Sequence, residues 1–151
     1  MTGGHCYLDS CVVLSLFLGD SAYATTERWV FSQAANRELW ISHWVLLEFT
    51  GVLTVSLRRG DISAARVQAI HTEFEAFRKE RLSLLEPRSN DFLQARHWLQ
   101  QNTDTTLRAA DALHLAMAQR HDLVLITADI QLAQAASRLG QPHECLRPTQ
   151  P

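Results

Sequence analysis

Apolar positions along this chain follow two rhythms. Short runs such as Cys6-Tyr7-Leu8 and Leu123-Val124-Leu125-Ile126-Thr127 are almost wholly apolar, while the longer stretches between them return an apolar residue every three or four positions. The first rhythm marks buried strands and the second marks helices. His5 to Asp9 reads as a strand, and Ser10 to Leu18 as a helix ended by Gly19-Asp20. Residues 22–36 carry Trp29, Val30 and Ala34 at roughly helical spacing; Glu38 to Ser42 is a second strand; His43 to Arg59 is a long apolar helix stopped by Gly60. Asp61 to Glu80 is amphipathic, with Ile62, Val67, Ile70, Phe74 and Phe77 along its inner face. Leu82 to Leu85 forms a short strand before Pro87, and Asn90 to Gln101 a helix with Phe92, Ala95 and Leu99 inward. Thr105 or Thr106 is placed to cap a helix running to Arg120, Leu123 to Thr127 is the clearest strand, and Asp129 caps a helix ending near Gly140. His143 to Leu146 adds an edge strand. Strands alternating with helices predict an α/β/α sandwich around a mostly parallel central sheet of four or five strands.

Composition narrows the class. With 151 residues, 46% hydrophobic and 20% charged, the chain is expected to form one domain over 1–151, with loose ends at 1–4 and 148–151. A net charge of -2 argues against a strongly basic nucleic-acid binder but leaves local basic patches open. Thirteen of the 14 basic residues are arginine, a residue suited to bidentate phosphate contacts, although biased composition explains the count more simply. The odd set Cys6, Cys11 and Cys145, without a secretory leader, is expected to be reduced thiols of a cytoplasmic protein. No apolar run approaches the roughly 20 residues of a membrane span.

Four carboxylates change the picture most. Asp9 closes a buried run, and Glu48 is the single charge in Trp44 to Leu53. Asp111 sits within Ala109 to Ala116, and Asp129 follows the apolar strand at Leu123 to Thr127. A buried ionised carboxylate is costly unless paired or bound to metal. The one lysine, Lys79, lies elsewhere, and arginine is sparse beside the four positions. In open α/β sheets the carboxyl ends of the strands face one crevice, where all four acids can meet. Each has an ordinary alternative: Asp9 and Asp129 as N-caps, Asp111 as a first-turn acid favoured by the helix dipole. Glu48, with apolar neighbours one turn away, is the hardest to explain so. Oxygen donors without a histidine or cysteine ligand set suit Mg²⁺, or Mn²⁺, and a cluster of this kind serves phosphodiester hydrolysis.

The motifs resemble a known family. Tyr7-Leu8-Asp9-Ser10-Cys11-Val12-Val13-Leu14, Ile41 to Glu48, Leu107 to Ala116 and Leu125-Ile126-Thr127-Ala128-Asp129 are similar, in order and spacing, to the acidic motifs of PIN-domain ribonucleases. In length the chain looks most like a VapC-type toxin of a VapBC toxin–antitoxin module. The resemblance implies a Mg²⁺-dependent endoribonuclease and a homodimer, with RNA as substrate and a VapB-type antitoxin as partner. It also implies Asp9, Glu48, Asp111 and Asp129 as catalytic metal-binding acids, with Ser10 and Thr127 orienting the site. Cys11 departs from the Ser, Thr or Asn usual there, and a thiol is the poorer hydrogen-bond partner for holding Asp9. Arg108, one turn from Asp111, is the candidate for touching phosphate or the acids. His114 is expected to pack the helix rather than act as a ligand. Two other readings stay open: a non-catalytic PIN-like scaffold for RNA or protein, and a phospho-receiver domain. The second needs a lysine at a strand end, which Lys79 is not; no GxGxxG favours a dinucleotide binder.

Overall fold

The computed structural model describes residues 4–102 and 106–146. Five strands, β1 (Cys6–Leu8), β2 (Leu39–Ser42), β3 (Leu82–Leu85), β4 (Val124–Thr127) and β5 (His143–Cys145), form one sheet in the order β3-β2-β1-β4-β5. Every neighbouring pair is parallel, with Cys6 opposite both Leu39 and Val124. The chain builds outward from β1 through β2 to β3, then returns to place β4 on the other side of β1. That reversal sets the carboxyl ends of β1 and β4 side by side at the switch point of the strand order, the usual ligand position in such sheets.

The helices are α1 (Ser10–Leu18), α2 (Tyr23–Arg28), α3 (His43–Arg59), α4 (Ala64–Arg81), α5 (Ser89–Gln101), α6 (Ala109–Arg120) and α7 (Ile130–Arg138). Gly19 and Gly60 end α1 and α3 with φ of 67° and 78°, left-handed values that glycine adopts without a Cβ penalty. The stretch at 22–36 is not one uniform helix. Beyond α2 it continues as a π turn at Trp29–Gln33, where the Ala34 N–H bonds to the Trp29 carbonyl. The wider turn buries Trp29, Val30 and Ala34 together.

Three expected boundaries or faces differ. α4 begins at Ala64 rather than Asp61, because Ser63 caps it through its Oγ to the Arg66 N–H. α6 begins at Ala109 with Arg108 at the N-cap and no side-chain cap bond, so Thr106 does not cap it; Thr105 lies outside the described residues. Phe92 is 55% exposed, and the buried positions of α5 are Asp91, Ala95 and Trp98. Asp91 takes the inward place because Arg120 of α6 pairs with it at 2.6 and 2.8 Å and the Arg88 N–H bonds to it at 2.7 Å.

The core gathers the sheet residues Tyr7, Leu8, Leu39, Ile41, Leu125 and Ile126 with Phe49, Leu53, Ile70, Leu115 and Leu132 from the helices. Phe17, Phe49 and Phe74 stack edge-on or tilted at 4.3–6.0 Å between centroids, fastening α1 to α3 and α4. Among the described residues no helix is long and apolar enough to cross a membrane.

Candidate active site

Asp9 leaves β1 and caps α1, its Oδ1 accepting the Val12 N–H at 3.2 Å. It is 3% exposed. The Cys11 thiol donates to the same oxygen at 2.7 Å, and the Thr127 hydroxyl donates to Oδ2 at 2.6 Å. Although a thiol is the poorer partner, Cys11, placed two residues on, reaches Asp9 with its Sγ and also accepts the Ala128 N–H at 3.3 Å. Thr127 Oγ1 accepts the Asp129 N–H at 3.0 Å, so one hydroxyl ties the ends of β1 and β4 together. Asp129 caps α7 through Oδ1 to the Gln131 N–H, as an ordinary N-cap does, while Oδ2 turns to Arg108. The capping and site roles are therefore compatible.

Asp111 lies in the first turn of α6. Arg108 holds it, Nε to Oδ2 at 3.1 Å, and reaches Asp129 Oδ2 with Nη2 at 3.3 Å. Arginine is sparse beside the four acids in the sequence, yet Arg108, the candidate for touching phosphate or the acids, holds these two. The local reason is that residue 108 is the N-cap, so its side chain lies over the first turn and bends toward the β4 end. Glu48 also differs from expectation. The sequence around it shows no cation within one turn, but His114 from α6 meets it, Nε2 to Oε1 at 2.5 Å, and Ser10 donates to the same oxygen at 3.0 Å. His114, 2% exposed, is more than packing: its Nδ1 lies 2.6 Å from the Tyr7 hydroxyl. One signal in the sequence pointed to it. Asp111 and His114 are three residues apart on α6, and that spacing places both on one face of a helix.

The electrostatics separate the acids. Burial pushes the Asp9 carboxyl above the ordinary carboxylate range, against the opposing pull of the hydrogen bonds it accepts from Cys11, Thr127 and Val12. Burial also raises Asp111, aided by Asp129 and opposed by Arg108. For Glu48 the cost of burial is outweighed by His114, Ser10 and the more distant Arg108, and its carboxyl is held below the ordinary range. Burial and the Asp9 charge drive the Cys11 thiol far up, which makes it a neutral donor rather than a nucleophile.

Hydrogen bonds link Asp9, Asp129 and Asp111 through Thr127 and Arg108, while Glu48 is held by Ser10 and His114, and the hard oxygens of the acids suit Mg²⁺ or Mn²⁺. Among the described residues, no three His, Cys, Asp or Glu side chains converge closely enough to hold an ion as they stand. Arg108 supplies charge to Asp111 and Asp129, whereas among the described residues Asp9 accepts only from neutral donors. A cation bound by Asp111 and Asp129 would compete with Arg108. Arg108→Gln is therefore expected to tighten Mn²⁺ binding, measured by electron paramagnetic resonance titration, by about two- to fivefold, the scale of an exposed ion pair. Unchanged or weaker binding would show that Arg108 does not compete.

Compared with known families, the chain matches the PIN domain over residues 6–137. It belongs to the PIN-domain family. Its fold is similar to that of VapC20 from Mycobacterium tuberculosis, described as a Sarcin-Ricin loop cleaving toxin (TM-score 0.65, 20% identity, 86% of this chain and 94% of that one). It is also similar to VapBC2 from Rickettsia felis bound to a DNA fragment from their promoter (0.68, 16%, 92% and 96%). FitAcB from Neisseria gonorrhoeae is a third neighbour (0.67, 20%, 91% and 95%). No curated protein sequence matches the chain.

Proposed function

We propose that this PIN-domain protein is a metal-dependent endoribonuclease, the toxin of a toxin–antitoxin pair. The observation that carries the reading is Asp9, an acid 3% exposed at the end of the central strand, hydrogen-bonded by neutral groups and linked through Thr127 and Arg108 to Asp129 and Asp111. Family membership and the VapC fold support the chemistry, and the VapBC and FitAcB neighbours support a VapB-type antitoxin as partner. Asp9, Glu48, Asp111 and Asp129 would hold Mg²⁺ directly or through water, with Mn²⁺ as a substitute. Bound there, the ion would activate water and neutralise charge at the scissile phosphate.

The remaining roles belong to the chain itself. Thr127 and Cys11 hold Asp9 from both oxygens, and Ser10 steadies Glu48. Arg108, two-thirds exposed, has the reach to turn from Asp111 and Asp129 to an RNA phosphate, where its planar fork suits the oxygens. Hydrolysis of this kind leaves a 3′-hydroxyl and a 5′-phosphate. A homodimer in the cytoplasm is part of the proposal.

The test is cleavage of a mixed cellular RNA pool by purified protein, with Mg²⁺ and with EDTA. Fragments that require Mg²⁺ and carry 5′-phosphates are expected. A folded protein that binds the metal yet cuts neither this pool nor structured ribosomal and transfer RNA would favour the non-catalytic scaffold.

A further inference from the structure

The group between Tyr7 and Glu48 has a definite direction. Ser42 Oγ lies 2.8 Å from the Tyr7 hydroxyl, which lies 2.6 Å from His114 Nδ1; His114 Nε2 lies 2.5 Å from Glu48 Oε1. Ser42 and Tyr7 are fully buried. An ionised carboxylate only accepts, so the nitrogen facing Glu48 carries a hydrogen. What remains is the direction at Nδ1. Were Nδ1 also protonated, it would donate to Tyr7 and Tyr7 would donate to Ser42. Ser42 Oγ already accepts the Val45 N–H, at 3.2 Å, and its own hydrogen would then be buried with no acceptor among the described residues. In the opposite direction every hydrogen is used: Ser42 donates to Tyr7, Tyr7 donates to Nδ1, and Nε2–H donates to Glu48. Buried polar groups overwhelmingly take the satisfied arrangement.

We infer that Ser42, Tyr7 and His114 form a directed hydrogen-bond chain that makes His114 a positioning residue for Glu48. Oε1 of Glu48 is occupied by His114 and Ser10. Among the described residues, no hydrogen bond reaches Oε2, which is left to bind a cation. The chain anchors that orientation in the sheet, since Tyr7 belongs to β1 and Ser42 ends β2. Such outer partners of ligating groups typically set affinity by about 10–100-fold.

This role for His114 rests on the metal-binding reading of the acids; the direction of the chain does not. The first measurement is therefore a long-range ¹H–¹⁵N spectrum of the metal-free wild type at neutral pH. His114 is expected as the neutral tautomer protonated at Nε2. The Nδ1–H tautomer, or an imidazolium, overturns the directed chain. The second is Mn²⁺ affinity, with folding checked by circular dichroism. His114→Asn, whose amide stops short of Glu48, should bind Mn²⁺ at least about 10-fold more weakly. His114→Gln, whose amide N–H reaches the Nε2 position, should recover most of the loss. A folded His114→Asn with wild-type affinity overturns the positioning role. Should that variant not fold, His114→Gln decides: Mn²⁺ binding as weak as that of Asp111→Asn overturns it. A wild type that binds no Mn²⁺ removes the metal reading and this role with it, while the tautomer still stands or falls by its spectrum.

Discussion

Asp9→Asn is expected to lower RNA cleavage by more than about 100-fold, the upper end of the losses seen when groups that merely orient a ligand are removed. The same substitution should leave the fold intact. Asn keeps an oxygen for the Val12 N–H that Asp9 now accepts at α1. Its amide N–H can donate to Thr127 Oγ1, which keeps the two side chains bonded with the direction of the bond reversed. What disappears is a charge that burial disfavours. The melting temperature without metal should therefore be equal to or higher than that of the wild type, and Mg²⁺ should no longer raise it. In the wild type an ion at 100 times its dissociation constant stabilises by about 2.7 kcal/mol. An Asp9→Asn protein with full, Mg²⁺-dependent activity would sink the assignment of the site.

The sign of the pH dependence follows. The Asp9 and Asp111 carboxyls are raised by burial, so in the window above the ordinary carboxylate value the folded protein holds protons that the unfolded chain has released. Metal-free stability from these groups is therefore lost as pH rises through that window. Bound Mg²⁺ should flatten this slope, and Asp9→Asn should reduce it. Melting curves across pH, with and without Mg²⁺, would test both statements.

The largest effect on stability is expected away from the site. Asp91→Ala removes the buried partner of Arg120 and the acceptor for the Arg88 N–H at the start of α5. Breaking a buried pair by removing one member costs about 3–5 kcal/mol. Arg120 keeps a bond to the Glu86 carbonyl at 2.9 Å and is partly exposed, which favours the lower part of that range. The melting temperature should fall by roughly 10 °C for a chain of this size. Although burial alone would raise the Asp91 carboxyl, Arg120 and the Arg88 N–H hold it below the ordinary range. Its contribution is thus present above the ordinary carboxylate value and is lost as pH falls toward the depressed one, so wild type and variant should converge in acid. A drop under about 1 kcal/mol, within the range of exposed pairs, would show that the pair contributes little.

Legibility followed the range of the interactions. Gly19 and Gly60 announced the ends of α1 and α3 because a left-handed cap is a property of one residue. The first turn of α6 was misplaced because Thr106 has cap chemistry, whereas the helix begins after Arg108. Phe92 was misassigned to the core because periodicity cannot foresee that Asp91 gains the inward place through Arg120, 29 residues away. Likewise, Glu48 looked unpartnered because only its own helix was in view.

By itself, the order of apolar and polar residues determined the alternating strands and helices, the parallel α/β class and the placement of Asp9 and Asp129 at strand ends. Those follow from periodicities of two to four residues, which the chain carries locally. The tertiary structure alone decided which side chains meet. Glu48 and His114 are 66 residues apart, Tyr7 and His114 are 107 apart, and Asp9 and Thr127 are 118 apart. Their contacts depend on the strand order β3-β2-β1-β4-β5 and on the register that sets β4 beside β1. Register and strand order arise from packing the whole core, so no local spacing encodes them.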